Sequence, residues 1–245
     1  MAKWTIFFDK FKKMTEKIKI LVVRFNNELA HWKIPLFRGA VVDAVGAENS
    51  VLFHNHTDEG MRYAYPLIQY KRIAGKAAIV CVGEGTEEIG KLFASCNFNV
   101  KIGEEDTVLE VENMHAHQVL VQVWDTMFAY RIRKWLPLNQ ENYAKFMQMD
   151  SLADKYAMLE NLLTGNILSM AKGLGIHFEK QVECKIVAME EPRLITYKGV
   201  KMMAFDAEFK SNVSLPDYIG LGKGVSLGMG TVVRKYEKKE YDNNE

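Results

Sequence analysis

The sequence predicts an α+β fold of two tandem ferredoxin-like (RRM-like) βαββαβ domains, and three observations carry that expectation. Residues 18–115 pass through strand and helix patterns in the order β-α-β-β-α-β. The same order restarts in residues 116–236, with the most regular helical stretch of the chain as its first helix. Where the second half should carry its last helix, the chain instead holds a glycine-rich segment, SLPDYIGLGKGVSLGMG.

Each element has its own signal. Lys19 to Phe25 (KILVVRF) is rich in β-branched residues and reads as a buried strand. Pro35 opens a helical stretch with Leu36, Ala40, Val41 and Val45 on one face. After a polar loop come LIQYKRI and AAIVCV, two strands joined by the short turn Ala74-Gly75-Lys76. Glu84 to Ala94 suits a helix, and Thr107 to Glu112 suits a closing strand. Gln118 to Trp124 (QVLVQVW) starts the second set. Ser151 with Asp154 has the form of a capping box. In the helix it opens, Leu152, Tyr156, Leu159, Leu163, Ile167 and Met170 step along one face, until Gly173 and Gly175 stop it. Phe178, Val182, Cys184, Ile186 and Ala188 lie on one side of a strand. Leu194 to Tyr197 and Val200 to Phe209 form a hairpin around Lys198-Gly199, and Thr231 to Lys235 is a last strand. Residues 237–245 form a polar tail.

A chain of 245 residues, 48% hydrophobic and 26% charged, has the composition of an ordinary globular protein with room for two cores. Its formal net charge is only +1, so any site for a polyanion must come from local clusters of Lys and Arg. Cys81, Cys96 and Cys184 are odd in number, well separated and set in apolar runs. They read as core residues of a cytoplasmic protein rather than a disulfide framework or thiolate metal site. Residues 1–17 form a basic amphipathic extension, with Trp4, Phe7, Phe8, Phe11 and Met14 near helical spacing among Lys10, Lys12, Lys13 and Lys17. Asp9 and Lys10 interrupt its apolar run and no small-residue cleavage site follows, so no secretory signal is expected. No stretch approaches the ~20 apolar residues of a spanning helix, and no membrane association is expected.

Gly220, Gly222, Gly224, Gly228 and Gly230 fall within eleven residues. Glycine gives access to positive φ and lets backbone N–H groups approach an anion closely. A nucleotide-hydrolase phosphate loop needs Gly-Lys followed by Ser or Thr, and here Gly224 follows Lys223. A dinucleotide fingerprint fails as well, because too little chain follows for its βαβ unit. The expected role is contact with a nucleic-acid backbone rather than packing.

At this segment, YIGLGKGVSLGMGTVV, the chain resembles the C-terminal glycine-rich loop of the RAMP superfamily, the ferredoxin-like RNA-binding proteins of CRISPR systems. LFHNH followed by YPLIQYKRIAGKAAIVCVGEG resembles one branch of the CRISPR-associated repeat-processing endoribonucleases. The resemblance spans about residues 18 to 236 and implies a metal-independent endoribonuclease that needs no cofactor. It implies cleavage of precursor RNA within CRISPR repeats, leaving 2′,3′-cyclic phosphate and 5′-hydroxyl ends. The partners it implies are repeat RNA, a second copy of the chain in a homodimer, and other CRISPR effector proteins.

His54 and His56 stand two apart in a loop bounded by Ser50 and Gly60. In extended backbone, residues i and i+2 point the same way, so both imidazoles can face one phosphate. With an unperturbed pKa of about 6.5, one can be neutral and the other charged near neutral pH. RNA cleavage through its own 2′-hydroxyl needs that pair: a base for the 2′-proton and an acid for the leaving 5′-oxygen. His56 is the expected principal catalyst and His54 its partner. Tyr63, placed much as the related enzymes place a tyrosine, is expected to position the substrate or donate a proton. The letters HNH do not make a metal-dependent nuclease motif, which spreads over a ββα unit, and no further ligand stands at zinc spacing.

Gly220, Gly222, Lys223, Gly224, Gly228 and Gly230, with Arg62 and Lys71, are the expected RNA-binding residues. Arg72 and Lys76 cluster near the histidine loop, and Lys172, Lys198, Lys201 and Arg234 are candidates for the second half's RNA face. His115 and His117, at the junction of the halves, read as a turn or strand start. Two other readings stand beside the nuclease. A non-catalytic RNA-binding subunit of an effector complex would share the fold but need no paired acid and base. A small-molecule enzyme on this scaffold would need an acidic or cofactor motif that the sequence lacks.

Overall fold

Alternation along the first strand sets up the architecture. In β1 (Ile18–Glu28), Leu21, Val23 and Phe25 enter one core while Ile20 and Val22 face the other way. The structure, a computed structural model, describes residues 17–46, 51–54, 56–57, 60–61, 65–95 and 98–236.

A 3-10 turn, His31–Lys33, leads into α1 (Ile34–Val45), where Pro35 sits in the first turn and its missing N–H costs no hydrogen bond. Phe37, Val41 and Val45 of α1 cover Phe25, Ile79 and Cys81. The polar segment that follows holds α2 (Val51–His54) and the short antiparallel pair β2 (His56–Thr57) and β3 (Gly60–Met61). β4 (Ile68–Ile73) and β5 (Lys76–Val82) form the expected hairpin, with Ala74 and Gly75 at φ 50° and 88°. The expected helix Glu84–Ala94 is two pieces, α3 (Gly85–Glu88) and α4 (Gly90–Ser95), with glycine opening each.

The closing strand differs from expectation. Thr107 and Val108 do not close the sheet: β6 (Asn99–Ile102) and β7 (Glu105–Val108) form a separate hairpin, and only Val111 and Glu112 of the expected strand belong to the closing one. β8 (Val111–Val119) takes the closing place, antiparallel to β1, with His117 opposite Ile20 and His115 opposite Val22. The strand expected at Gln118–Trp124 is therefore divided, and the halves meet between Val119 and β9 (Val123–Trp135), a few residues later than residue 115.

The second half continues with α5 (Gln140–Gln148), capped by Asn139, and α6 (Leu152–Gly173), capped by Ser151, whose Oγ accepts from the Asp154 N–H at 3.3 Å. Leu159, Leu163, Ile167 and Met170 bury the expected face of α6. β10 (Cys184–Met189), β11 (Arg193–Tyr197), β12 (Val200–Val213) and β13 (Thr231–Arg234) complete the half. The sheet orders, β4-β5-β1-β8 and β10-β12-β9-β13, place the strands of each half in the order second, third, first, fourth. Each half is thus ferredoxin-like, and in the second a 3-10 turn, Val225–Leu227, stands where the last helix would be. Cys81 and Cys184 are buried free thiols in separate cores. The helix-free face of the first sheet, with Ile20, Val80 and Val82, meets Leu174 and Tyr218 of the second half. Among the described residues no helix is long and apolar enough to cross a membrane.

Candidate active site and nucleic-acid interface

The histidine segment links α1 to β4. The chain changes from helix to strand between the two candidate catalysts: α2 ends at His54 and β2 opens at His56, opposite Met61. Arg62 and Tyr63 lie outside the described residues.

Just beyond this segment, the chain is fastened to the glycine-rich loop. Tyr65 Oη donates to the Gly220 carbonyl at 2.7 Å and accepts from Gln69 Nε2 at 3.0 Å. Gln69 Oε1 in turn accepts from the Gly220 N–H at 3.1 Å. Gly220 is thus held at both its N–H and its C=O by residues of β4 and its lead-in. Tyr65 also lies against Gly173 of α6, where a Cβ would collide with the tyrosine. Burial pushes the Tyr65 phenol above its ordinary pKa range, so it stays protonated and able to donate. Neither residue has a local sequence signal, because the partner lies 155 and 151 residues away.

The glycines serve packing, which corrects the expectation of a loop built for contact rather than packing. Leu221, Val225 and Leu227 are buried. A Cβ on Gly220 would sit 2.5 Å from Val225 Cγ1, one on Gly228 3.2 Å from the Tyr70 carbonyl, and one on Gly230 would overlap the Leu221 carbonyl. Several loop amides are committed within the protein: Leu221 to Gly230 O (2.9 Å), Lys223 to Leu136 O (3.3 Å) and Gly230 to Lys134 O (3.0 Å). The amides of Gly222, Gly224 and Ser226 have no acceptor among the described residues, and Lys223 between them is exposed. This part of the loop keeps donors for an anion.

Lys71 does not face solvent. It is fully buried, its Nζ donates to Thr231 Oγ1 at 3.2 Å, and burial lowers its pKa from 10.5 to about 7. The expected RNA contact at Lys71 is therefore corrected: the glycine loop covers the sheet face on which it lies. Lys76 is engaged with Glu112 at 2.7 Å, and the Arg72 Nε donates to the Leu29 carbonyl at 2.7 Å. The structure does gather three other lysines. Lys198, Lys201 and Lys223 line an open basin of about 720 Å³ together with Tyr143, Leu194, Tyr197 and Val200. No group of three or more His, Cys, Asp or Glu side chains among the described residues is placed to hold a metal ion.

Two ferredoxin-like halves bridged by a glycine-rich loop are the architecture that the RAMP resemblance implies. The match extends to family models: residues 16–119 match the Cas6b N-terminal domain and residues 122–235 the Cas6b C-terminal domain. The chain belongs to the Cas6b family. A solved Cas6b is 28% identical, with a TM-score of 0.81 over 90% of this chain and 100% of that one. A second, described as a CRISPR RNA processing endoribonuclease Cas6b, is 25% identical at a TM-score of 0.69 over the same shares. An uncharacterised protein of Methanocaldococcus jannaschii is 37% identical over 116 residues, 47% of this chain and 78% of that protein. The type IV Cas6 crRNA endonuclease Csf5, at 14% identity and a TM-score of 0.54 over 90% of this chain and all of that one, shares the fold.

Proposed function

We propose that this protein cleaves CRISPR precursor RNA within its repeats, without a metal ion. The 2′-hydroxyl attacks the neighbouring phosphorus as the P–O5′ bond breaks, leaving a 2′,3′-cyclic phosphate and a 5′-hydroxyl. One histidine of the pair takes the 2′-proton and the other protonates the 5′-oxygen. His56 is the principal catalyst, His54 its partner, and Tyr63 positions the substrate or donates a proton. Lys223 and the uncommitted amides around it would hold RNA phosphates, and Arg62 would add a charge near the histidine segment.

The observation that carries the reading is the pair His54 and His56 in a Cas6b-family chain, in the segment that leads directly into the Tyr65–Gln69–Gly220 clamp. Through that clamp, the segment bearing the candidate catalysts and the loop bearing the candidate phosphate donors share a fixed anchor. The test is His56→Ala. Cleavage should fall by ~10²–10⁴-fold while RNA affinity stays within a few-fold, because ground-state binding rests mainly on phosphate contacts. Wild-type turnover in that variant would remove the catalytic assignment and favour a protein that only binds RNA.

A further inference from the structure

His115 and His117 are not a turn. They sit in mid-strand on β8, on the helix-free face of the first sheet, with ring centroids 4.9 Å apart and planes inclined by 31°. Between this face and the second half lies an open cleft of about 360 Å³, lined also by Arg24, Asn113, Asp217 and Tyr218. Tyr236, 75% exposed, stands at its mouth. The volume lies at the small end of the ~300–1,000 Å³ typical of ligand pockets.

The chemistry of the walls narrows what fits. His117 Nδ1 is buried and has no hydrogen-bond partner among the described residues. Burial, then the neighbouring His115, lowers the His117 pKa, which favours a neutral ring against the cleft. Glu112 holds both Arg24 and Lys76, at 2.6 and 2.7 Å, and Asp217 supplies the second negative charge that balances the two cations. A phosphate would meet no net positive charge here and the Asp217 carboxylate beside it. A planar, uncharged group with donors and acceptors on its edge finds imidazole faces to stack on, and Asn113 and Asp217 for its edge. Unpaired RNA bases are such groups, and they are bound in this way on the open sheets of RRM-type folds.

We propose that the His115–His117 cleft is a nucleobase site that holds one unpaired base of the bound RNA, stacked on the histidine pair. The site rests on the RNA-binding reading above. The histidine pair lies at the opposite edge of the sheet from β4, three strand spacings or roughly 15 Å away, and the cleft reaches β4 only at Ile73, the end farther from the histidine segment. It therefore acts on binding and register, not on the chemical step.

The test uses repeat RNA made uncleavable by a 2′-deoxy nucleotide at the cut and carrying 4-thiouridine in its unpaired flank. Irradiation of the wild-type complex should give adducts on the peptide bearing His115 and His117 or on that bearing Tyr218. His115→Ala and His117→Ala should each lower RNA affinity by about tenfold, the scale of one lost base stack. The cleavage rate at saturating substrate should not change, nor should the affinity for RNA whose flank is abasic. Normal affinity in both variants, with no adduct on either peptide, would overturn the site while leaving the nuclease reading intact. Failure of the wild type to bind repeat RNA at all would overturn both. His115 is exposed, so its substitution should not disturb folding.

Discussion

Replacing Lys71 with methionine removes a charge that the fold must otherwise bury. In the folded protein the amine, ordinarily near 10.5, has a pKa of about 7, and burial is the cause. Between these values the unfolded chain binds a proton that the folded chain has released, so stability rises with pH across that window. Below about pH 7 both states are protonated and the full cost applies. At ~1.36 kcal/mol per unit, that cost is roughly 4–5 kcal/mol, of which about 2 kcal/mol is relieved between pH 7 and pH 9. Methionine keeps an unbranched stem of similar reach, and Thr231 Oγ1 keeps its bond to the Gly228 carbonyl at 3.1 Å. Urea unfolding of both proteins at pH 7 and pH 9 measures the effect. The variant should be the more stable at pH 7, and its advantage should shrink by about 2 kcal/mol at pH 9. RNA affinity and its salt dependence should not change. An advantage that does not vary with pH, or a salt slope flattened by one phosphate contact, would refute the burial argument and return Lys71 to the RNA face.

The glycine loop gives two contrasting expectations. Lys223→Ala should leave the thermal melt unchanged, weaken RNA binding, and reduce the log–log salt slope by about 0.7, the contribution of one single-strand phosphate. Gly230→Ala should instead lose roughly 3 kcal/mol of stability in a urea titration, because the position has φ +60° and a Cβ would overlap the Leu221 carbonyl.

What could be read from the sequence follows from how local each signal is. The strand Lys19–Phe25, the Ala74–Gly75 turn and the long helix opened by Ser151 are written in adjacent residues, and all three are present. β8 was misplaced because Val111 to Ala116 is exposed throughout, so the strand carries no apolar alternation to betray it. α5 was missed because only Phe146 of its nine residues is buried. Alternation with Ile68 and Tyr70 places Lys71 on the face opposite the first core, which in a two-layer half is solvent. The glycine loop, a segment from the other half, covers that face. Tyr65 and Gln69 owe their meaning to Gly220, and nothing in their neighbours announces so distant a partner. The expectation for the histidine pair rests on no distant partner: it comes from two residue types at one spacing in the chain.

The most direct measurement of the central claim is to incubate the purified protein with its own repeat RNA in excess EDTA and map both new ends. Cleavage at a single position within the repeat is predicted, with a 2′,3′-cyclic phosphate on one fragment and a 5′-hydroxyl on the other. A 2′-deoxy nucleotide 5′ of that position should stop it. Cleavage only after Mg²⁺ or Mn²⁺ is restored, or continued cutting of the 2′-deoxy substrate, would contradict the account.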